Sequence, residues 1–414
     1  MTQASIPITK SKDKPSPFID RELVSKLTDA EKNLRILGND LTFADIPEYK
    51  RTKHVHRLHP YLGKFIPQLV EVFLKKCFKP GDIILDPLVG SGTTLVETNI
   101  LGMPSIGIEL SRFNCLISKV KGQKYDISCL EFEIRDILDK VKTFSQQYVA
   151  NQQSFFEKFQ KLETDSKYLK TWLSERALQE ILYYRSLIPK YKNQDILKII
   201  LSRATRSARL IPHYDLARPK KPIRTQYWCI KHKRICGPVD EALKFINRYS
   251  YDTIKRIKEF DQLRTDADIK IIQGDAKEVN LADHGVKKGE IDGIFTSPPY
   301  VGMIDYHDQH KYAYELFSFP NHETKEIGPM SGGRSQAAKE EYQRAITAVF
   351  KNISPYLKEG AQILVVVNDR DKLYPKIAED CNFDIIDVFH RPVLMRTERD
   401  STQYFESIYY MTKL

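Results

Sequence analysis

The apolar run Ile291 to Phe295 leads into Ser297-Pro298-Pro299-Tyr300. A predicted strand thereby delivers a hydroxyl acceptor, two prolines and an aromatic ring to one place. These groups suit an amino group on a flat heterocycle. Proline lacks an N–H and holds φ near about −65°, so a Pro-Pro pair is a stiff corner whose carbonyls can be aimed at a ligand. Tyr300 can stack on the ring. An exocyclic amine is a weak nucleophile because its lone pair is delocalised into the ring. Two acceptors on its N–H groups favour the pyramidal form that attacks an electrophile.

A second chemical segment lies far upstream, where Ile83-Ile84-Leu85 runs into Asp86-Pro87-Leu88-Val89-Gly90-Ser91-Gly92-Thr93-Thr94. Gly90 and Gly92 let a backbone approach a ligand closely, and the helix that follows offers free N–H groups. Asp86 stands where a carboxylate meets a positively charged amine or sulfonium. The segment is neither a phosphate loop ending in Gly-Lys-Ser/Thr nor a clean G-x-G-x-x-G. Glu109 follows Asp86 by 23 residues, near the spacing of about 20 at which an acid binds the ribose hydroxyls of an adenosine cofactor. Asp275 and Ala276, just after Gly274, offer an acceptor to an adenine amino group.

The elements that must position these groups alternate. A helix over Ile66 to Phe73, a strand over Ile83 to Leu85, a helix from Gly90 to Leu101 and a strand over Ser105 to Glu109 make one βαβ unit. Residues 126–265 carry helical periodicity, as in Leu130 to Leu162 and Tyr168 to Ile188. The strand rhythm resumes at Ile269 to Ile272, continues into Ser297, and returns after a helix over Glu340 to Leu357 at Ile363 to Val367. Phe383 to Phe389 and Phe405 to Met411 read as a pairing hairpin. The pattern predicts a doubly wound, mostly parallel Rossmann-like α/β sheet with an antiparallel C-terminal strand and a large helical insertion. The expected division is a tail and peripheral helix over 1–50, the first part of the sheet domain over 51–125, the insertion over 126–265 and the second part over 266–414. The tail proper ends near residue 20, and Arg21 to Asn39 has helical spacing. The glycine loop, Glu109, Asp275 and Ser297 all fall at predicted strand ends and should meet in one crevice.

The bulk properties agree with this organisation. The chain of 414 residues carries a formal charge of +11, with 41% hydrophobic residues, as a globular protein with a polyanionic partner would. No stretch approaches the roughly 20 apolar residues that cross a bilayer, and residues 1–21 are polar rather than a signal peptide. Six scattered cysteines do not form a disulfide framework, so a cytoplasmic protein is expected.

Together, Asp86-Pro-Leu-Val-Gly-Ser-Gly-Thr-Thr and Thr296-Ser-Pro-Pro-Tyr resemble the DNA amino-methyltransferases that use S-adenosylmethionine, in particular the Ser-Pro-Pro-Tyr group associated with cytosine N4. His59-Pro-Tyr-Leu-Gly-Lys64-Phe65, Asp305-Tyr306, His310-Lys311 and Glu326-Ile-Gly-Pro resemble the same family. The resemblance implies that Lys64, Phe65, Asp86, Pro87 and the loop Gly90, Ser91, Gly92, Thr93, Thr94 surround the methionine part of the cofactor. It implies Glu109 at the ribose and Asp275 with Ala276 at the adenine. Ser297 and the Pro298 carbonyl would accept from the target amine while Pro299 and Tyr300 frame the base. The methyl transfer is then a direct in-line displacement without an enzyme-bound intermediate. The cofactor loop precedes the tetrapeptide here, the reverse of many Ser-Pro-Pro-Tyr enzymes.

A target amine paired inside double-stranded DNA has to be flipped out of the stack. Ten Lys/Arg lie between Arg203 and Arg234 against one acid, Asp215, which suits phosphate contacts. Arg203, Arg206, Arg209, Arg218, Lys220, Lys221 and Arg224 are therefore expected at DNA, with Asp305, Tyr306 and Arg334 on a loop over the base. Cys229, His232 and Cys236 have zinc-ligand spacing but no fourth ligand follows, His213 being the nearest upstream, and no metal is expected. The reading is a site-specific DNA methyltransferase acting on cytosine N4, with a cognate restriction endonuclease as a possible companion. The alternatives are adenine N6, an RNA base amine, or an inactive nucleic-acid-binding protein of the same fold.

Overall fold

The computed structural model describes residues 41, 43–63, 66–152, 161–213, 219–393 and 404–414. The helical reading of Arg21 to Asn39 and the tail before it lie outside the described residues. Helix α1 (Pro67–Cys77) leads to β1 (Ile84–Asp86), α2 (Thr93–Ile100), β2 (Ser105–Glu109) and α3 (Arg112–Gly122). The insertion follows as α4 (Ile127–Gln152), α5 (Lys167–Trp172), α6 (Glu175–Leu187), α7 (Gln194–Ala208), the small hairpin β3 (Tyr227–Cys229) and β4 (Arg234–Cys236), and α8 (Leu243–Asp261). The sheet domain resumes with β5 (Ile269–Gln273), β6 (Ile291–Thr296), α9 (Lys311–Phe317), α10 (Gln336–Ile353), β7 (Leu357–Val367), α11 (Tyr374–Asp380), β8 (Phe383–Val393) and β9 (Tyr404–Lys413).

The large sheet has the order β5-β2-β1-β6-β7-β9-β8. Strands β5, β2, β1, β6 and β7 run parallel, and β9 is antiparallel to both neighbours. All three residues of β1 are buried, as a central strand covered on both faces requires. From β1 the chain winds outward through β2 to β5, then returns to lay β6 on the other side of β1. That reversal between β1 and β6 opens a crevice at the strand carboxyl ends, and it sets the glycine loop and the tetrapeptide side by side.

One face of the sheet packs on α10 and α11 through Leu85, Ile108, Ile294, Ile363, Ile346, Phe350 and Ile377. On the other, Phe73 of α1 meets Phe295 and Phe389 at ring-centroid distances of 6.4 and 5.5 Å. The insertion occupies the crossover from β2 to β5, and its core is shared with the sheet domain. Ile134, Ile181, Ile200 and Ile257 join one apolar cluster with Phe113 and Val120 of α3 and Tyr312 of α9. The helix expected over Tyr168 to Ile188 is broken, because Ser174 accepts from the Ala177 N–H and caps a new helix. The β3–β4 hairpin interrupts what reads in the sequence as helix. Among the described residues no helix is long and apolar enough to cross a membrane.

Candidate active site

A cleft of about 820 Å³, its mouth included, opens at the switch point. Its wall contains Pro87, Gly90, Ser91 and Thr93 from the turn after β1, Glu109 after β2, Asp275 and Ala276 after β5, and Ser297 and Pro299 after β6. Residues from four strand ends thus share one cavity. Tyr61, Tyr306, His307, Lys325 and Glu326 close its other side. Lys64 and Phe65 lie outside the described residues.

The loop is shaped by contacts that leave its cavity face bare. Gly90 and Gly92 have φ of 51° and 77°, the left-handed region that glycine enters without strain. A Cβ on Gly90 would stand 2.8 Å from the Tyr61 hydroxyl, and one on Gly92 2.9 Å from Ser118 Oγ. Behind the loop, Ser118 donates to the Gly90 carbonyl at 2.9 Å and the buried Lys121 ammonium to the Ser91 carbonyl at 2.5 Å. Neither α3 residue belongs to a motif that the sequence exposes.

Asp86 takes a place different from the one expected at a ligand amine or sulfonium. It is buried, and its oxygens accept from Thr94 Oγ1 at 2.7 Å, Thr296 Oγ1 at 2.7 Å and the Leu88 N–H at 3.2 Å. The carboxylate therefore ties the start of α2 to the end of β6. Burial pushes its carboxyl up to about 6, against the hydrogen bonds that pull it down. Thr94 is buried in the same network, and Gly92 sits behind the loop.

Glu109 Oε1 accepts from the Ser111 N–H at 2.8 Å and from the Asn114 amide at 3.3 Å. Burial pushes Glu109 up to about 7. Asn114 is among the residues lining the cleft, and its Oδ1 is a buried acceptor without a hydrogen-bond partner. Such an atom is costly unless a ligand donates to it. Asp275 Oδ1 accepts from the Lys277 N–H at 3.0 Å. A glycine cradle, the carboxyl groups of Glu109, Asp275 and Glu326 in the lining and an orphaned acceptor fit a ligand that carries positive charge and hydroxyl and amine donors.

Ser297 makes no side-chain hydrogen bond among the described residues and faces the cleft. Pro298 beside it is buried. Tyr300 is held from the far edge of the sheet, its hydroxyl donating to Glu406 Oε1 at 2.9 Å while Arg391 binds Glu406 Oε2 at 2.7 Å. His307 is fixed in one tautomer. Its Nε2 accepts from the His322 N–H at 3.1 Å, so Nδ1 carries the proton donated to Glu326.

Several residues expected at DNA are placed elsewhere. Arg203 is buried in α7, bonds Asp252 at 2.7 Å and lies over the Tyr249 ring at 4.2 Å. Arg209 is buried too, donating to Tyr168 and lying over Tyr312. Arg206 is half-buried between them, its guanidinium held below its ordinary range by burial. Tyr306 is part of the cleft wall and stacks on Tyr61 at 5.7 Å, and Asp305 accepts from the Ser331 N–H at 3.1 Å. Arg334 is exposed but pairs with Asp371. Lys220, Lys221 and Arg224 are exposed, and Arg218 lies outside the described residues.

A mostly parallel sheet with one antiparallel strand, and a cleft at its switch point with Ser297 and Pro299 of the tetrapeptide in its wall, define the class: a Rossmann-like methyltransferase. Residues 8–120 match the family model described as DNA methylase. The chain is 42% identical over 436 aligned residues to the type II methyltransferase M.MjaII of Methanocaldococcus jannaschii, covering 89% of this chain and 82% of that protein. It is 26% identical over 331 residues to the type II methyltransferase M.BsoBI of Geobacillus stearothermophilus, covering 73% of this chain and 59% of that one. The chain belongs to the type II DNA methyltransferases of the N4/N6 amino-methylating kind, with S-adenosylmethionine as cofactor.

Proposed function

We propose that this enzyme methylates cytosine N4 in double-stranded DNA at a specific sequence, after flipping the target base into the cleft. The observation that carries the reading is Ser297 Oγ, an unengaged acceptor in the same wall as Gly90, Glu109 and Asp275. The donor supplies an electrophilic methyl group on a sulfonium. Ser297 and the Pro298 carbonyl accept from the amine, and Tyr300, fixed by Glu406, stacks on the base. Serine rather than an acidic or amide side chain at 297 supports cytosine. Glu109 accepts from the ribose and Asp275 from the adenine amine. The exposed Lys220, Lys221 and Arg224 supply phosphate contacts from the insertion. A cytoplasmic enzyme paired with a restriction endonuclease of the same specificity completes the reading.

Incubation with labelled S-adenosylmethionine and plasmid DNA, followed by digestion to nucleosides, tests it. N4-methylcytosine, separated chromatographically from its C5 isomer, is expected. N6-methyladenine would overturn the base assignment, and label confined to RNA would move the enzyme to another substrate.

The ribose role of Glu109 has a pH signature. Its carboxyl, raised to about 7 by burial, stabilises the cofactor-free fold fully below the unfolded value of about 4.3, and that contribution is lost as pH rises through 7. Ribose hydroxyls donate to the carboxylate, so binding lowers its pKa. Cofactor affinity should therefore fall on acidification below about 7, by at most about tenfold per pH unit. Calorimetric dissociation constants between about pH 5.5 and 8.5 should lose this slope in Glu109→Gln; an unchanged slope would exclude the role.

A further inference from the structure

Residues remote in sequence from the tetrapeptide form a second constellation. In the insertion, His213, Cys229, His232 and Cys236 bring one ligand atom each within 4.8 Å of all the others. We propose that these four side chains bind one zinc ion, which fixes the β3–β4 hairpin.

The donor set is two thiols and two imidazoles, and the cysteines are free of disulfides. Zinc–sulfur bonds of about 2.3 Å and zinc–nitrogen bonds of about 2.0–2.1 Å, arranged tetrahedrally, put ligand atoms roughly 3.4–3.8 Å apart. His213 Nδ1 lies 3.7 Å from Cys229 Sγ, and His232 Nδ1 lies 3.5 Å from Cys236 Sγ. These edges already have the length that a bound ion imposes. The longer ones close by a shift of about an ångström, small for the hairpin turn that carries His232. The fourth ligand missing from the Cys229-x2-His232-x3-Cys236 spacing is His213, supplied from beyond the end of α7. Tyr227 Oη, 3.0 Å from His213 Nδ1, keeps its bond from the His213 backbone N–H when the ring nitrogen turns to the metal. Sulfur and imidazole donors select zinc over magnesium or calcium, and two thiolates balance its charge.

The hairpin itself requires such a clasp. Each strand has three residues, and the cross-strand pair Trp228 and Ile235 faces outward, 62% and 65% exposed. A two-stranded hairpin of this length has no apolar core of its own and is marginal in water. Cys229 and Cys236 are the buried ends of the two strands, so the inner face of the hairpin carries two of the four ligands. Lys233 at the turn adopts a φ of 51°, a left-handed conformation unfavourable for a non-glycine residue. Binding releases the two thiol protons and couples metal to local folding.

Metal analysis of the intact protein purified without chelator should find about one zinc per chain. Cys229→Ala/Cys236→Ala should abolish it while leaving far-ultraviolet circular dichroism and S-adenosylmethionine affinity unchanged. Cobalt(II) added to the chelator-treated protein should show tetrahedral ligand-field bands with thiolate charge transfer, and these should be absent in the variant. Trypsin should cut at Lys231, Lys233 or Arg234 at least tenfold faster after chelation, since the open hairpin becomes the substrate. A folded protein that is zinc-free and gives no tetrahedral cobalt spectrum, or a double variant that retains full zinc, would overturn the proposal. Because metal binding is read without methylation, its outcome is separate from that of the base assignment.

Discussion

Ser297→Ala is expected to lower kcat by about 10²–10³, the loss seen when one preorganised hydrogen-bonding group is removed from a reacting centre. The dissociation constant for S-adenosylmethionine should stay within about twofold. The separation follows from where the hydroxyl sits. It makes no bond within the described protein and points into the cleft, so its removal unpairs nothing. The turn stays stiff through Pro298 and Pro299, and Tyr300 keeps its tether to Glu406. Gly90, Glu109 and Asp275 come from other strand ends and are untouched. On the proposed role, the variant would lack an acceptor that binds the amine more strongly as its nitrogen becomes pyramidal and acidic, so kcat and kcat/KM should fall together. Ser297→Asn, which keeps an acceptor, should recover part of the loss. Single-turnover kinetics with titration of the cofactor makes the distinction. A parallel loss of cofactor affinity, or a kcat change under about threefold, would remove Ser297 from the chemistry.

The parts of this enzyme that show in the sequence are those in which function and local structure coincide in a short segment. Ile84, Leu85 and Asp86 form a buried strand, and the residues after them form the glycine turn that lines the cleft. Chain order around the cleft follows because each βα turn announces its own strand end. Arg203 shows what composition hides. A count of charges between residues 203 and 234 treats it as surface, yet Ile196, Ile200, Arg203 and Ser207 share one stripe of α7, and all four are buried. The stripe faces α8, where Asp252 and Tyr249 receive the guanidinium. Periodicity would have turned the arginine inward; its charge alone turned it outward. Tyr300 and Glu406, or His213 and Cys229, are joined only by folding, and no local pattern links them. The same holds for Ser118 and Lys121, which act on loop carbonyls that any sequence would possess.

Asp86→Ala should damage both halves of the site, in contrast to the loss chiefly of cofactor binding that the position of Asp86 in the loop motif suggests. Thr94 Oγ1 and Thr296 Oγ1 donate to its two oxygens, and both hydroxyls are buried. Thr94 has the Phe295 carbonyl at 3.2 Å as a substitute acceptor; for Thr296 the carboxylate is the acceptor described. With the Leu88 N–H also released, the variant should lose about 2–3 kcal/mol of stability, taking about 1–3 kcal/mol for each buried group left unpaired and allowing for the rescue of Thr94. The kinetic consequence is larger than the thermal one. Thr296 immediately precedes Ser297, and Thr94 lies in the first turn of the helix that follows Gly92, so on the proposed roles the carboxylate would set the distance between methyl donor and acceptor. A misplacement of about 1 Å costs about 10² in rate. Asp86→Asn keeps the shape and one acceptor, and the threonine hydroxyls can rotate to accept from the new amide. It should therefore retain stability within about 1 kcal/mol and most of the activity. Thermal melts, cofactor titration and kcat for the pair Asp86→Ala and Asp86→Asn decide between the two roles. If Asp86→Asn loses cofactor affinity as severely as Asp86→Ala while both remain stable, the negative charge itself holds the ligand and the bracing role is refuted.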